Sequence, residues 1–265
     1  MGRNAFIGIA IALLVPLLGY FLMKGFTDRA TAMPRHYIYD SVVTKVEKGK
    51  EVTDTLWHKV PDYSFINHLG QSVQMNDLDG KILVANFFFT RCPTICPKLT
   101  QNMKYLQESV HNAQKVGDRV PEFVHFLSFS VDPERDSVPA LKSWANRFQI
   151  NAQNWWLMTG DKKTIYDLSL NHLKLALVDG NAVDTSFIHT DRFVLIDKNR
   201  TIRGYYHGLD SASLRQLSRD IIFLSLEKDP NRKSIFAGKL ELLAIVFLLT
   251  LIGLGLLFYF LKRKP

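Results

Sequence analysis

The chain has 265 residues, of which 47% are hydrophobic and 22% charged, and its formal net charge is +8. These proportions are ordinary for a globular protein and exclude a chain that is disordered throughout. Two cysteines are too few for a disulfide-rich scaffold. The positive charge forms no basic run interleaved with aromatic side chains, so we expect no nucleic-acid partner.

Long uncharged segments lie near both ends of the chain. The first, residues 5–23, approaches the ~20 apolar residues that cross a bilayer. A cleaved signal peptide is the alternative interpretation of this segment. The second, residues 242–261 within a predicted span at 240–261, precedes a basic tail at residues 262–265, as in a stop-transfer segment. Two spans place residues 1–4 and the basic tail in the cytoplasm, and this predicts a bacterial cytoplasmic-membrane protein whose soluble part faces outward across the lipid bilayer.

The soluble part begins with residues 24–60, which we interpret as a linker followed by a β-hairpin extension. From Tyr37 to Val60 polar and β-branched residues alternate around a charged turn at Glu47–Lys50, which is typical of a hairpin. Residues 61–226 then form the main domain, and residues 227–239 are a linker to the second span.

The main domain alternates predicted strands and helices. A second hairpin is expected at residues 63–75, and the continuous apolar run from Lys81 to Thr90 is typical of a central strand that is buried on both faces. Helical spacing follows over residues 99–115. Further strands are predicted at 122–131 and 155–159, helices at 137–148 and 163–170, a hairpin from strands at 187–196 and 201–207, and a closing helix at 211–225. This alternation predicts an α/β fold with a largely parallel sheet, and the order of elements is that of a thioredoxin-like domain.

Two cysteines, Cys92 and Cys96, lie between the apolar strand and the following helix. Free backbone N–H groups at a helix start favour the thiolate, the form that binds metal or attacks a disulfide. A spacing of four residues places both sulfurs on one helix face if Cys96 already lies in the first turn. The pair can therefore bind a soft metal ion or form a redox-active disulfide, and an inert disulfide is the alternative.

The best-placed third ligand is His189, because it precedes the predicted strand whose start lies beside the cysteine helix in a thioredoxin-like layout. Thioredoxin-type reductases have a cis-proline just before this strand, whereas Ser186–Asp191 contains no proline. Two thiolates and one imidazole suit copper, as Cu(I) or as Cu(II) with further ligands, better than structural zinc, for which no fourth ligand is evident. A hydrogen-bonded hairpin histidine is the alternative interpretation.

These residues resemble the Sco/SenC family of membrane-anchored, thioredoxin-like copper chaperones. The resemblance covers residues 57–225 and rests on Phe-Thr-x-Cys-Pro-x-x-Cys-Pro after an apolar strand, on Ser130–Asp136, and on His189-Thr190 before Phe-Val-Leu-Ile-Asp. By position it implies that Cys92, Cys96 and His189 bind copper and that Asp132 supports the site or a docked partner. Two features differ from the family pattern. Ile188 replaces an acid that many members have, and a second span is added to the usual single anchor.

The resemblance implies assistance in assembling the copper site of cytochrome c oxidase subunit II, or of another copper-receiving membrane protein, with a thiol reductant as a further partner. On this interpretation the protein is a metallochaperone rather than an enzyme. The alternative is a thiol-disulfide oxidoreductase or thiol peroxidase in which Cys92 attacks and Cys96 resolves. A redox or copper sensor is a third possibility, and Asp132 has the alternative role of a turn or helix-capping residue.

Overall fold

A computed structural model of the chain describes residues 18–19, 33–47, 50–114, 123–175 and 190–227. The residues up to Leu226 form one compact unit, and Glu227–Pro265 form a second, of which only Glu227 is described. Helices within the described ranges are too short or too polar to cross a membrane. Apart from Leu18 and Gly19, the two predicted spans lie outside these ranges.

The described elements follow the predicted order. The first half contains β1 (Tyr39–Glu47), β2 (Lys50–Trp57), β3 (Ser64–Asn67), β4 (Ser72–Gln74), β5 (Ile82–Phe88) and α1 (Ile95–Gln114). The second half contains β6 (Val124–Ser130), α2 (Val138–Arg147), β7 (Trp155–Thr159), α3 (Lys162–Asp167), a π-helix (Leu168–His172), β8 (Arg192–Ile196), β9 (Ile202–His207) and α4 (Ser211–Leu226).

Seven strands form one sheet in the order β4-β3-β7-β6-β5-β8-β9. Every residue of β5 and β6 is buried, as the apolar runs predict. The expectation of a largely parallel sheet is wrong. Among these strands only β5–β6 and β6–β7 pair in parallel, whereas the four other pairings are antiparallel. The reason is that a hairpin flanks each side of the three parallel strands.

Apolar side chains cover both faces of this sheet. On one face, α1, α2 and α4 pack through residues such as Met103, Trp144 and Leu217, and the two cysteines belong to this cluster. On the other face, Ile165 of α3 and Leu168 of the π-helix pack against the sheet. The cysteine loop therefore lies on the face that carries the long helix.

The predicted β-hairpin extension is present as a separate two-stranded antiparallel sheet of β1 and β2. Its base joins the main sheet through backbone hydrogen bonds, from Tyr37 to Ile202 and from Val60 to Arg200. Most residues of the hairpin are exposed. An isolated hairpin is marginally stable in water, so these basal bonds are an important part of what holds it in place.

Candidate functional site

The cysteine loop connects the end of β5 to the start of α1. This helix begins at Ile95, earlier than the spacing predicts, so Cys96 lies in its first turn. The backbone N–H of Cys96 points at the sulfur of Cys92, with an N–Sγ distance of 3.4 Å, and Thr94 Oγ1 lies 3.7 Å from the same sulfur. Both cysteines are unbonded thiols, and they are only 4% and 2% exposed.

These surroundings shift the pKa values of the two thiols in opposite directions. Burial opposes ionisation of Cys92, but hydrogen bonds from Cys96 and Thr94 outweigh it and lower the pKa of Cys92 to about 6. Burial raises the pKa of Cys96 to about 12, and the neighbouring Cys92 and the charge of Asp136 add to the increase. The lowered pKa expected at the helix start is therefore found for Cys92, where hydrogen bonds outweigh burial, and not for Cys96, where burial, Cys92 and Asp136 outweigh the hydrogen bond with Phe89.

A buried carboxylate in the segment between β6 and α2 braces the loop. Asp136 has no exposed surface, and it accepts hydrogen bonds from the backbone N–H and hydroxyl of Thr90 and from the hydroxyl of Ser130. Thr90 is two residues before Cys92, so Asp136 joins the cysteine loop to the end of β6. Sequence reasoning assigned no role to Asp136. The sequence feature that could have indicated this role is the position of Asp136 itself, an acid between a buried strand and a helix in the Ser130–Asp136 stretch.

The structure places Asp132 in the turn that leads to Asp136. Its backbone carbonyl accepts the N–H groups of Arg135 and Asp136. Its carboxylate lies 3.8 Å from the guanidinium of Arg135, whose side chain is 61% exposed. These contacts are those of a turn residue at the edge of the site.

The third predicted ligand, His189, lies outside the described residues. Asp191, two residues further along the chain, is described, and its carbonyl accepts the N–H of Gly208 at 2.7 Å. A Cβ on Gly208 would lie 2.5 Å from Leu99 Cδ2, so the backbone here packs directly on α1, less than one turn beyond Cys96. The start of β8 is thus close to the cysteine helix.

Within the described ranges, no three His, Cys, Asp or Glu side chains are arranged to hold a metal ion. Both cysteines lie within these ranges, whereas His189 does not. The described residues supply two buried thiols at the start of α1. The pKa of one, Cys92, is lowered, and that of the other, Cys96, is raised. Such a pair can bind a soft cation, or it can exchange disulfides.

The sequence profile of the SCO1/SenC family matches residues 53–221, which is more than half of the chain. The chain belongs to the SCO1/SenC family. The match includes the cysteine loop, the Asp132–Asp136 turn and the segment that contains His189, and it confirms the resemblance predicted from those motifs.

Relatives of the SCO1/SenC family agree with this assignment. A SCO1 protein homolog of Bacillus subtilis is 30% identical over 174 residues, which cover 65% of this chain and 86% of the relative. The crystal structure of a SCO1/SenC family lipoprotein from Bacillus anthracis is 31% identical with a TM-score of 0.54, and the match covers 64% of this chain and 96% of that one. The structure of BsSco, described as having a disulfide switch and as a member of the Sco family of cytochrome c oxidase assembly proteins, is 28% identical with a TM-score of 0.52, covering 66% and 98%.

Copper is bound in the structure of a more distant Sco protein. This is ScoI of Bradyrhizobium japonicum, which is 18% identical with a TM-score of 0.47 and covers 62% of this chain and 98% of that one.

Proposed function

We propose that this protein is a membrane-anchored copper chaperone that carries the ion on Cys92, Cys96 and His189. The observation that carries the proposal is the thiol pair at the start of α1, where hydrogen bonds lower the pKa of Cys92 to about 6. Thiolate is a soft ligand that selects Cu(I). At neutral pH Cys92 is already thiolate and offers the first bond, and Cys96 releases its proton when copper binds.

His189 completes the proposed ligand set. Support comes from Asp191, two residues away in the chain, which contacts Gly208 where that glycine packs on Leu99. Leu99 is three residues beyond Cys96 on the same helix, so the two lie on neighbouring positions of one helix face. This closeness of Asp191 to the cysteine helix supports His189 as the third ligand.

Transfer requires that a partner's ligands replace these three ligands one at a time. The partner we propose is cytochrome c oxidase subunit II, in agreement with the described role of BsSco in oxidase assembly. Asp132 and the exposed Arg135 provide a docking contact at the edge of the site in this proposal. No turnover of a small molecule is needed, so the proposed activity is not enzymatic.

An anaerobic Cu(I) titration of the full chain in detergent tests the ligand set. Wild-type protein is expected to bind one equivalent through these three residues, and Cys92→Ala, Cys96→Ala and His189→Ala each weaken binding at least about a hundredfold, or about 2.8 kcal/mol. His207→Ala is the matched control, because His207 is a half-exposed histidine paired with Asp191 at the same sheet end. Normal binding by all three ligand variants would refute the proposal.

A thiol-disulfide oxidoreductase is the second candidate, and the separation of the two thiol pKa values favours it. Cys92 thiolate attacks one sulfur of a partner disulfide, and a mixed disulfide forms as the other sulfur leaves as thiolate. Cys96, once deprotonated, displaces the partner's sulfur, so two electrons pass to the partner and a Cys92–Cys96 disulfide remains. This activity needs both cysteines and tolerates His189→Ala, whereas copper carriage needs all three residues.

Membrane anchoring by residues 5–23 and 240–261 is part of the same proposal. The similarity to a protein described as a lipoprotein supports attachment to a membrane. Alkaline extraction of membranes tests the anchoring, and fusion of a reporter that is active only outside the cytoplasm to residue 227 or to residue 265 tests the orientation. Activity at residue 227 alone is expected. Activity at both positions, or release of the protein by alkali, contradicts two spans.

A further inference from the structure

The outward side of α4 carries two arginines followed by two aliphatic side chains. The helix buries Leu217, Ile221 and Leu224 against the main sheet. Positions 215, 219, 222 and 226 lie on the other side, and their spacings of four, three and four residues place them in one line along the helix. Arg215 and Arg219 are exposed, and Ile222 and Leu226 are 44% and 64% exposed.

The segment through which the chain enters the domain also lies beside α4. Met33 lines one cavity together with Gln216 and Asp220 of α4. The next residue, Pro34, accepts a hydrogen bond on its carbonyl from Nε of Arg203 at 2.9 Å. The helix itself ends the domain at Leu226. Both connections from the domain to the proposed membrane spans therefore leave from the side of α4.

These two connections are short, and the second one is basic. Residues 24–32 and 227–239 number 9 and 13, so even when fully extended they reach at most about 30 and 45 Å. Residues 227–239 contain four basic and two acidic side chains, so the positive charge of α4 continues toward the second span. With residues 5–23 and 240–261 as anchors, these lengths hold the α4 side within reach of a bilayer surface.

We propose that Arg215, Arg219, Ile222 and Leu226, here called the α4 face, dock on an anionic lipid surface. The guanidinium groups bind headgroup phosphates, and the two aliphatic side chains enter the boundary between headgroups and acyl chains. Each arginine near such a surface strengthens attachment about fivefold. This inference rests on the membrane anchoring in the proposed function, and it adds which side of the domain faces the lipid.

The neighbouring acidic side chains are engaged within the protein. Asp220 accepts the hydroxyl of Tyr206 at 2.6 Å, on the cavity side of the helix. Asp210 precedes α4 and accepts the backbone N–H groups of Ala212 and Ser213. Neither aspartate belongs to the line of the α4 face, so this line presents cations to a headgroup.

Docking through the α4 face leaves the cysteine loop accessible. The hydroxyl of Ser213 accepts the N–H of His207 at 2.8 Å, at the sheet end where β8 begins and the cysteine loop lies. Lys198, in the turn between β8 and β9, donates to the carbonyl of Ser225 at 3.2 Å, at the other sheet end. The aliphatic part of the α4 face lies in the last two turns of the helix. Its contact with lipid is therefore at the end away from the thiols, and a partner can approach them from water.

The test uses the full chain with Cys92→Ala and Cys96→Ala, in nanodiscs that contain phosphatidylglycerol. A nitroxide spin label is attached through Ile222→Cys, and electron paramagnetic resonance measures its collisions with a neutral nickel chelate in water and with oxygen, which concentrates in lipid. Ile66→Cys is the matched control, because Ile66 is 42% exposed and lies on β3, toward the opposite edge of the sheet from β9. We expect at least about fivefold fewer nickel collisions at position 222 than at position 66, with more oxygen collisions.

A change of charge tests the arginines. Arg215→Glu with Arg219→Glu is expected to return the label at position 222 to water, and nanodiscs of phosphatidylcholine alone do the same. Lys162→Glu with Lys163→Glu is the matched control and leaves the label protected, because it changes the charge equally on α3, which packs on the other face of the sheet. The Tm of both double variants stays near that of the parent, since the replaced side chains are exposed.

Equal nickel collisions at positions 222 and 66 in the phosphatidylglycerol discs overturn the proposal. Protection that persists in phosphatidylcholine overturns recognition by charge, and protection in detergent without lipid assigns the α4 face to a second copy of the chain instead. Alkaline extraction recognises failure of the anchoring separately. A chain that alkali releases refutes the two spans, and the collisions of its label on added phosphatidylglycerol discs still decide whether the α4 face binds lipid.

Discussion

Cys92 lies in the loop before α1 and Cys96 in the first turn of that helix, and both side chains are buried in the same apolar cluster. Burial disfavours the charged form of each sulfur, whereas a hydrogen bond to the sulfur favours it. Cys92 Sγ accepts the backbone N–H of Cys96, and with Thr94 this contact outweighs burial for Cys92 alone. The pair therefore comprises one thiolate and one thiol at neutral pH.

This difference predicts the pH dependence of alkylation. In reduced, metal-free Cys96→Ser protein, the rate of Cys92 with iodoacetamide is expected to rise through a midpoint near pH 6, because the backbone donor remains and thiolate is the nucleophile. In Cys92→Ser protein, Cys96 stays unreactive through pH 9 because burial raises its pKa. Mass spectrometry follows both rates, and a Cys92 midpoint at pH 8.5 or above contradicts the assignment.

His125 is a buried group without a role in the site. It is 1% exposed, neither ring nitrogen has a hydrogen-bond partner among the described residues, and its ring packs edge-on against Trp156. Burial, followed by the charge of Lys81, lowers the pKa of His125 to about 3. The unfolded chain binds a proton near pH 6.5, so this residue's contribution to stability is complete above pH 6.5 and is lost as the pH falls toward 3.

Replacement of this histidine by an apolar ring removes that pH dependence. When the pH is lowered from 7.5 to 5.0, the unfolding free energy of the wild-type protein is expected to fall by about 2 kcal/mol because of His125. The unfolded histidine binds a proton that the folded one does not, and pH 5.0 lies about 1.5 units below the unfolded pKa. His125→Phe is free of this loss. Urea unfolding of both proteins at the two pH values measures the difference, and an equal change in both contradicts the prediction.

At the scale of elements, the loop before α1 and the turn before α2 are braced by one carboxylate. Asp136→Ala leaves the donors of Thr90 and Ser130 without their acceptor, and we expect a loss of about 1–3 kcal/mol in unfolding free energy. Removal of the negative charge also lowers the pKa of Cys96. Asp132→Ala is the matched control, since its carboxylate has one long contact with Arg135. Urea unfolding and Cys96 alkylation are the measurements, and equal losses in the two variants argue against a brace at Asp136.

At the scale of the whole molecule, the arginine of a buried ion pair in the main sheet also holds the segment before the hairpin. Arg203 and Asp197 are 3.0 Å apart, with both side chains 3% exposed, and Arg203 also donates to the carbonyl of Pro34. Arg203→Gln leaves Asp197 buried without its cation, at an expected cost of about 3–5 kcal/mol in urea unfolding. Arg215→Gln removes an exposed arginine and is expected to change little. Similar losses in the two variants rule out a structural role for the pair.

The local pattern was sufficient to predict the order of elements, the bounds of β7 and the position of the cysteines between a buried strand and a helix. These features depend on residues a few positions apart, and hydrophobic periodicity records them directly. It was not sufficient for strand direction in the sheet, because the same apolar run suits a parallel or an antiparallel neighbour. The cysteine pair was therefore predictable, whereas the site's surroundings were not.

The sequence by itself determined that two thiols lie at a helix start next to a central strand, and in which family such a loop occurs. Only the tertiary structure decided that Asp136 rather than Asp132 braces this loop, that the pKa values of Cys92 and Cys96 shift in opposite directions, and that His58 meets His172. The contact of Thr90 with Asp136 and that of the two histidines join residues brought together by packing of distant elements, 46 and 114 positions apart. Burial and hydrogen bonding, which set charge and reactivity, exist only after those elements have packed.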